Sequence, residues 1–218
     1  MANPILNPGP IDGQRIGLFG GSFNPPHPGH LAVSVSALRR LRLDRVWWLV
    51  SPRNPLKDPS EISDFAERLE AARALVRHPR ILVSDLEKRL GTRTTADLLE
   101  AMEPILRRGR FVWIMGADSF ADLHRWNDWR EIPARVPLAV LDRPGFAQAA
   151  LTSPAARALA RWRLDEAQAP CLPLRRPPAW VFLRQRHRPE SSTAIRRSKR
   201  TASNPSPAHS VGEGFAGP

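Results

Sequence analysis

Apolar residues along this chain follow two alternating rhythms. Short, nearly unbroken apolar runs read as buried strands: RIGLFGG from Arg15, RVWWLV from Arg45, RILV from Arg80, FVWIMG from Phe111, PLAVL from Pro137 and AWVFL from Ala179. Between them apolar residues recur at helical spacing. Leu31, Val35, Leu38 and Leu41 share one face of a helix predicted over His30–Leu41, and Phe65, Leu69, Ala72 and Val76 one face over Asp64–Val76. Further helices are predicted over Thr95–Leu106, with Thr94 or Thr95 able to cap it, as a short helix from Ser119, over Ser153–Arg163, and from SSTAIRR at Ser191. Strands alternating with helices imply βαβ units. The expected fold is α/β, a Rossmann-like, doubly wound parallel sheet with helices on both faces. Strands apolar throughout fit a sheet buried on both sides. Ligands then bind beyond the carboxyl ends of the strands.

The pattern also sets the expected domain limits. Residues 1–14 read as a flexible N-terminal segment, 15–200 as one domain, and TASNPSPAHSVGEGFAGP from Thr201 as a disordered tail, small, polar and rich in Pro and Gly. No apolar run approaches the ~20 residues that span a bilayer, and the first residues lack a basic start and an apolar stretch. A cytoplasmic protein with no membrane partner is the expectation. The lone Cys171 agrees with a reducing compartment and has no catalytic pattern around it.

Charge adds one question. The formal net charge is +12, and the excess concentrates late, in Arg175, Arg176, Arg184, Arg186, Arg188, Arg196, Arg197, Lys199 and Arg200. Such a balance suits an anionic substrate or nucleic acid. The only aromatics in the cluster, Trp180 and Phe182, fit a strand better than a base-stacking surface. Nucleic-acid binding is therefore the second reading, an anionic small molecule the first.

The chemistry concentrates in GGSFNPPHPGH, from Gly20 to His30, at the expected end of the first strand. It is neither the Gly-x-Gly-x-x-Gly of dinucleotide-binding turns nor a phosphate loop ending Gly-Lys-Ser/Thr. Gly20 and Gly21 allow backbone amides to approach a ligand. A helix starting near Gly29 aims its free N–H groups and positive end at the same place. His27 and His30 can donate hydrogen bonds to phosphate oxygens and, if protonated, add charge. A zinc pair fits less well, because no third ligand stands nearby and no His-Glu-x-x-His pattern exists. The set suits a polyphosphate whose charge grows during reaction.

These residues resemble the signature G-x-F-x-P-x-H-x-G-H of the nucleotidylyltransferase superfamily, and SSTAIR (Ser191–Arg196) resembles its second signature. The resemblance is closer still to the bacterial nicotinate-nucleotide adenylyltransferases. It covers about Arg15 to Arg196 and includes SPRNPLK (Ser51–Lys57), Arg68, the Thr-Thr-Ala-Asp around Thr95, MGADSFADLHRWNDW (Met115–Trp129) and LDRPG (Leu141–Gly145). The resemblance implies transfer of AMP from ATP to nicotinate mononucleotide, with Mg²⁺, giving deamido-NAD and pyrophosphate without a covalent enzyme intermediate. By the same resemblance His27, His30, Lys57 and Arg196 would be the catalytic phosphate contacts. Gly20, Gly21, Ser22, Phe23, Asp118, Ser192 and Thr193 would complete the ATP site, with Asp118 on the adenosine ribose. Thr95, through its backbone N–H, Trp126, by ring stacking, and Arg143, on the phosphate, would hold the mononucleotide. No protein metal ligand is implied. The chain departs from many relatives in having Arg93-Thr94-Thr95 where they carry Ser-Tyr-Thr, and it contains no tyrosine.

Overall fold

A computed structural model of the chain describes residues 11–52 and 62–184. In chain order the elements are β1 (Arg15–Gly21), α1 (Pro28–Arg40), β2 (Arg45–Val50), α2 (Phe65–Leu75), β3 (Ile81–Ser84), α3 (Leu86–Leu90), α4 (Thr95–Ala101), α5 (Glu103–Leu106), β4 (Arg110–Gly116), α6 (Ala117–Ala121), α7 (Glu131–Arg135), β5 (Leu138–Leu141), α8 (Ala147–Thr152), α9 (Pro154–Ala158), β6 (Arg163–Leu164) and β7 (Trp180–Leu183). Short 3₁₀ turns at Leu123–Arg125, Ala160–Trp162 and Glu166–Leu174 link the later ones.

The strands form one sheet in the order β3-β2-β1-β4-β5-β7-β6, and every neighbouring pair is parallel. The expected doubly wound parallel sheet is therefore present. Its two faces are written in the alternation of each strand. Leu18, Trp47, Trp113, Val140 and Phe182 point into one apolar core, which α3 to α9 cover through Leu86, Leu98, Phe120, Ile132 and Ala155. Phe19, Trp48, Ile114, Ala139 and Val181 point into the other, covered by α1 and α2 through Ala37, Leu38, Leu69 and Ala72.

Local chemistry explains where the helices depart from the sequence pattern. The helix expected over Thr95–Leu106 divides at Met102, because Pro104 can open a helix but not continue one. Thr94 is its cap, in a reciprocal box with Asp97. The helix expected over Ser153–Arg163 is a pair, α8 and α9, with Ser153 capping the second by accepting from Ala156 N. The packed part of the chain also begins earlier than Arg15. Ile11 is buried, Gly13 N donates to Arg108 O at 2.9 Å, and Arg108 forks onto Asp12.

The winding reverses at β1: β2 and β3 lie on one side, β4 and β5 on the other. Pairing between β1 and β4 stops at Phe19 and Ile114, whereas β1 stays paired to β2 as far as Gly21 and Val50. The carboxyl ends of β1 and β4 thus part and leave a crevice at the switch point, where open α/β sheets bind ligands.

Candidate active site

The turn from β1 into α1 forms one wall of that crevice. His27 is the N-cap of α1, with extended backbone, and His30 is its third residue. Each imidazole uses its Nδ1 as a hydrogen-bond acceptor: Gly29 N donates to His27 Nδ1 at 3.1 Å, and His27 N donates to His30 Nδ1 at 3.2 Å. Together they make a capping box built from two histidines in place of Ser and Glu. A ring nitrogen that accepts an N–H carries no proton, so the neutral tautomer of both rings has its proton on Nε2. The two Nε2–H groups are thereby prepared as donors without either ring being protonated. The ring centroids lie 3.8 Å apart.

A platform from β2 holds this pair. The Trp48 indole stacks on Phe23 at 4.7 Å and 11°. Its Nε1 donates to Ser34 Oγ at 2.7 Å, and Ser34 Oγ donates to His30 O at 3.0 Å. Phe23 packs on His30 with centroids 5.0 Å apart. Packing alone already calls for glycine at Gly20. A Cβ there would lie 2.6 Å from the Trp113 ring, so the strand needs the space for its own core. At Gly21 a Cβ would meet only ordinary contact, 3.5 Å from Phe23.

Across the crevice, the exit of β4 carries Asp118 in α6 and the exit of β5 carries Arg143. The sequence reading assigned these two to different substrates. The structure joins them in a direct ion pair, Arg143 Nη1 to Asp118 Oδ2, while Asp118 Oδ1 is buried with no hydrogen-bond partner among the described residues. Asp118 is the second residue of α6. Gly116 leaves room for it, since a Cβ there would fall 2.4 Å from Asp118 Oδ1.

Thr95 is the first residue of α4, where a backbone N–H has no intrahelical acceptor. Trp126 ends the 3₁₀ turn after α6 and is only partly buried against the core, unlike Trp129, which is 8% exposed. Lys57, Ser192, Thr193 and Arg196 lie outside the described residues.

Sequence reasoning gave no role to Glu87 or Arg68, both beside the β1 exit. The Glu87 carboxyl lies within 3.8 Å of the position a Gly20 Cβ would take. Burial raises its pKa from 4.5 to about 7, against a hydrogen bond from Ser51 and the charge of Arg68. Arg68 is 2% exposed. One signal was available: Arg68 falls between Phe65 and Ala72 on the buried side of α2, where an apolar residue is expected. Among the described residues no three His, Cys, Asp or Glu side chains converge as metal ligands, and no helix is long and apolar enough to cross a membrane.

Comparison with known proteins places this geometry. Residues 18–198 match the cytidylyltransferase-like family model. A Bradyrhizobium protein named "Probable nicotinate-nucleotide adenylyltransferase" is 56% identical over 183 residues, covering 84% of this chain and 95% of that protein. One of the same name from Rhizobium meliloti is 50% identical over 186 residues, covering 85% and 99%. Among solved structures, the Plasmodium falciparum nicotinic acid mononucleotide adenylyltransferase complexed with NaAD superposes with a TM-score of 0.61 at 18% identity, over 84% of this chain and 83% of that one. That likeness carries the fold; the curated relatives carry the family. This chain belongs to the nicotinate-nucleotide adenylyltransferases, a nucleotidyltransferase family of cytidylyltransferase-like fold.

Proposed function

We propose that this protein transfers AMP from ATP to nicotinate mononucleotide, giving deamido-NAD and pyrophosphate in NAD biosynthesis, in the cytoplasm. The observation that carries the proposal is the pair of prepared Nε2–H donors at the start of α1, beside the switch-point crevice. A phosphate oxygen of the mononucleotide attacks the α-phosphorus of ATP, and the α–β anhydride bond breaks with its electron pair leaving on pyrophosphate. The nucleophile is already an anion, so the protein's task is alignment and stabilisation of charge on the phosphates. His27 and His30 would donate to those oxygens.

Other roles follow the family resemblance and the places found above. Gly20, Gly21, Ser22 and Phe23 would wall the ATP phosphates, and Lys57, Ser192, Thr193 and Arg196 would add donors from segments outside the described residues. Asp118, with one oxygen unpartnered among the described residues, would accept from the adenosine ribose. Thr95 N–H would meet the nicotinate carboxylate, Trp126 its ring, and Arg143 the mononucleotide phosphate, which must then compete with Asp118 for the guanidinium. Mg²⁺ would arrive on the ATP phosphates. The described residues offer no three-ligand cage for it, and the donor N–H groups of the two histidines do not suit a cation.

The deciding experiment is pyrophosphate release from ATP and Mg²⁺ with nicotinate mononucleotide, nicotinamide mononucleotide or phosphopantetheine. Release is expected to be strongest with the nicotinate acceptor. Strongest release with another acceptor changes the substrate, and none from folded protein brings forward the basic nucleic-acid-binding reading. Within the proposed pocket, Trp126→Ala is expected to raise KM for the mononucleotide roughly tenfold, the worth of one aromatic stacking contact. Steady-state kinetics in both substrates checks this; a defect confined to ATP would show the ring lies elsewhere.

A further inference from the structure

Arg68 is a charged residue inside the protein whose guanidinium is satisfied by four backbone carbonyl bonds. Nε donates to Ser63 O at 3.0 Å, Nη1 to Ser22 O at 2.5 Å and to Ser51 O at 2.8 Å, and Nη2 to Pro52 O at 3.2 Å. Those acceptors belong to three separate segments: the turn after β1, the exit of β2 and the entry to α2. A planar fork of fixed donors can bridge them, whereas an ammonium cannot reach the same spread of acceptors.

The segment held most directly is the one beside the histidines. Phe23, next to Ser22, has φ +45°, in the left-handed region that a non-glycine residue adopts only under constraint. The constraints are visible. Arg68 holds Ser22 O on one side, Ser63 N donates to Asn24 Oδ1 at 3.3 Å on the other, and Trp48 stacks on the ring. Ser63 is itself held by Arg68. The strained Phe23 then presses its ring on His30, whose Nδ1 receives His27 N. A continuous line of contact therefore runs from the guanidinium to both imidazoles, although Arg68 touches neither.

We propose that Arg68 is the positioning residue for the histidine pair: by clamping the Ser22–Phe23 turn to the exit of β2, it sets the angle at which His30 and His27 present their Nε2–H donors. The inference deepens the proposed reaction and rests on it where turnover is the readout. Its content is that the clamp acts on the geometry of donation, so its loss lowers kcat more than it raises KM for either substrate.

The test compares wild type with Arg68→Lys and Phe23→Leu, the latter leaving the guanidinium's carbonyl bonds in place while removing the ring contact to His30. Pyrophosphate release is measured alongside thermal unfolding and the long-range ¹H–¹⁵N spectrum of the two imidazoles. Folded Arg68→Lys is expected to lose at least tenfold in kcat with KM values within threefold, and Phe23→Leu to lose kcat in the same way. In an Arg68→Ala protein, millimolar guanidinium is expected to restore part of the lost kcat. A kcat per folded molecule equal to wild type in Arg68→Lys overturns the proposal, and if that protein does not fold, wild-type kcat in Phe23→Leu does so. Should wild type prove inert toward nicotinate mononucleotide, the reaction assignment fails, and the spectrum judges Arg68. Loss of the clean Nε2–H pattern of His30 in the variants supports the clamp, and an unchanged pattern overturns it.

Discussion

His27→Asn is expected to fold with almost wild-type stability and to turn over at least a hundredfold more slowly. The two halves of that result come from two ends of one ring. Nδ1 caps α1 by accepting from Gly29 N at 3.1 Å. Asparagine is among the best N-cap residues and places Oδ1 where Nδ1 was, so the cap survives and stability should change by no more than about 0.5 kcal/mol. Nε2–H has no counterpart in asparagine. Losing one preorganised donor aimed at developing charge costs about 10² to 10³ in kcat. His27→Ala supplies the contrast, because it removes the cap as well and should lose about 1 kcal/mol of stability on top of the activity. Urea unfolding beside pyrophosphate release separates the two losses. If His27→Asn keeps wild-type turnover, the His27 donor is not at the transition state and the histidine pair is structural.

Much of this site could be read before folding, and the reasons for the exceptions are physical. The strands announced themselves because a sheet covered on both faces needs apolar residues throughout, as in RVWWLV and FVWIMG. His27 and His30 were recognisable because a β1–α1 turn packs its chemistry into a few consecutive residues. Contacts between distant segments were not. Asp118 and Arg143 were assigned to separate ligands, and only the neighbouring exits of β4 and β5 bring them together across 25 positions of chain. Arg68 matched the family pattern, but its carbonyl partners at Ser22, Ser51 and Pro52 depend on how three loops meet. α3 and α7, of five residues each, are too short to show a helical period. The imidazole tautomers are the subtlest case: two histidines three residues apart are plain in the sequence, but that each caps with Nδ1 is a property of the backbone.

Glu87→Gln is expected to change how stability depends on pH. Glu87 has a carboxyl whose pKa burial raises from 4.5 to about 7 in the folded chain, with Ser51 and Arg68 only partly compensating. Between those values the folded protein keeps a proton that the unfolded chain has released. Stability therefore falls as pH rises through the window, and the loss is complete above about pH 7, once the folded carboxyl has also ionised. The shift corresponds to up to about 3 kcal/mol. Glutamine can hold the Ser51 contact and never acquires the charge. The variant and the wild type should thus be close in stability at pH 4.5 and diverge with rising pH, the variant being the more stable at pH 8. Urea unfolding at half-unit steps from pH 4.5 to 8 reads the difference directly, and parallel curves would show that the carboxyl ionises near its ordinary value. The charge that appears in this window lies beside Gly20 and within the field of Arg68. Its ionisation offsets the buried Arg68 cation, proposed above to brace the histidine turn, so the same variant should also flatten any part of the kcat–pH profile that Glu87 contributes.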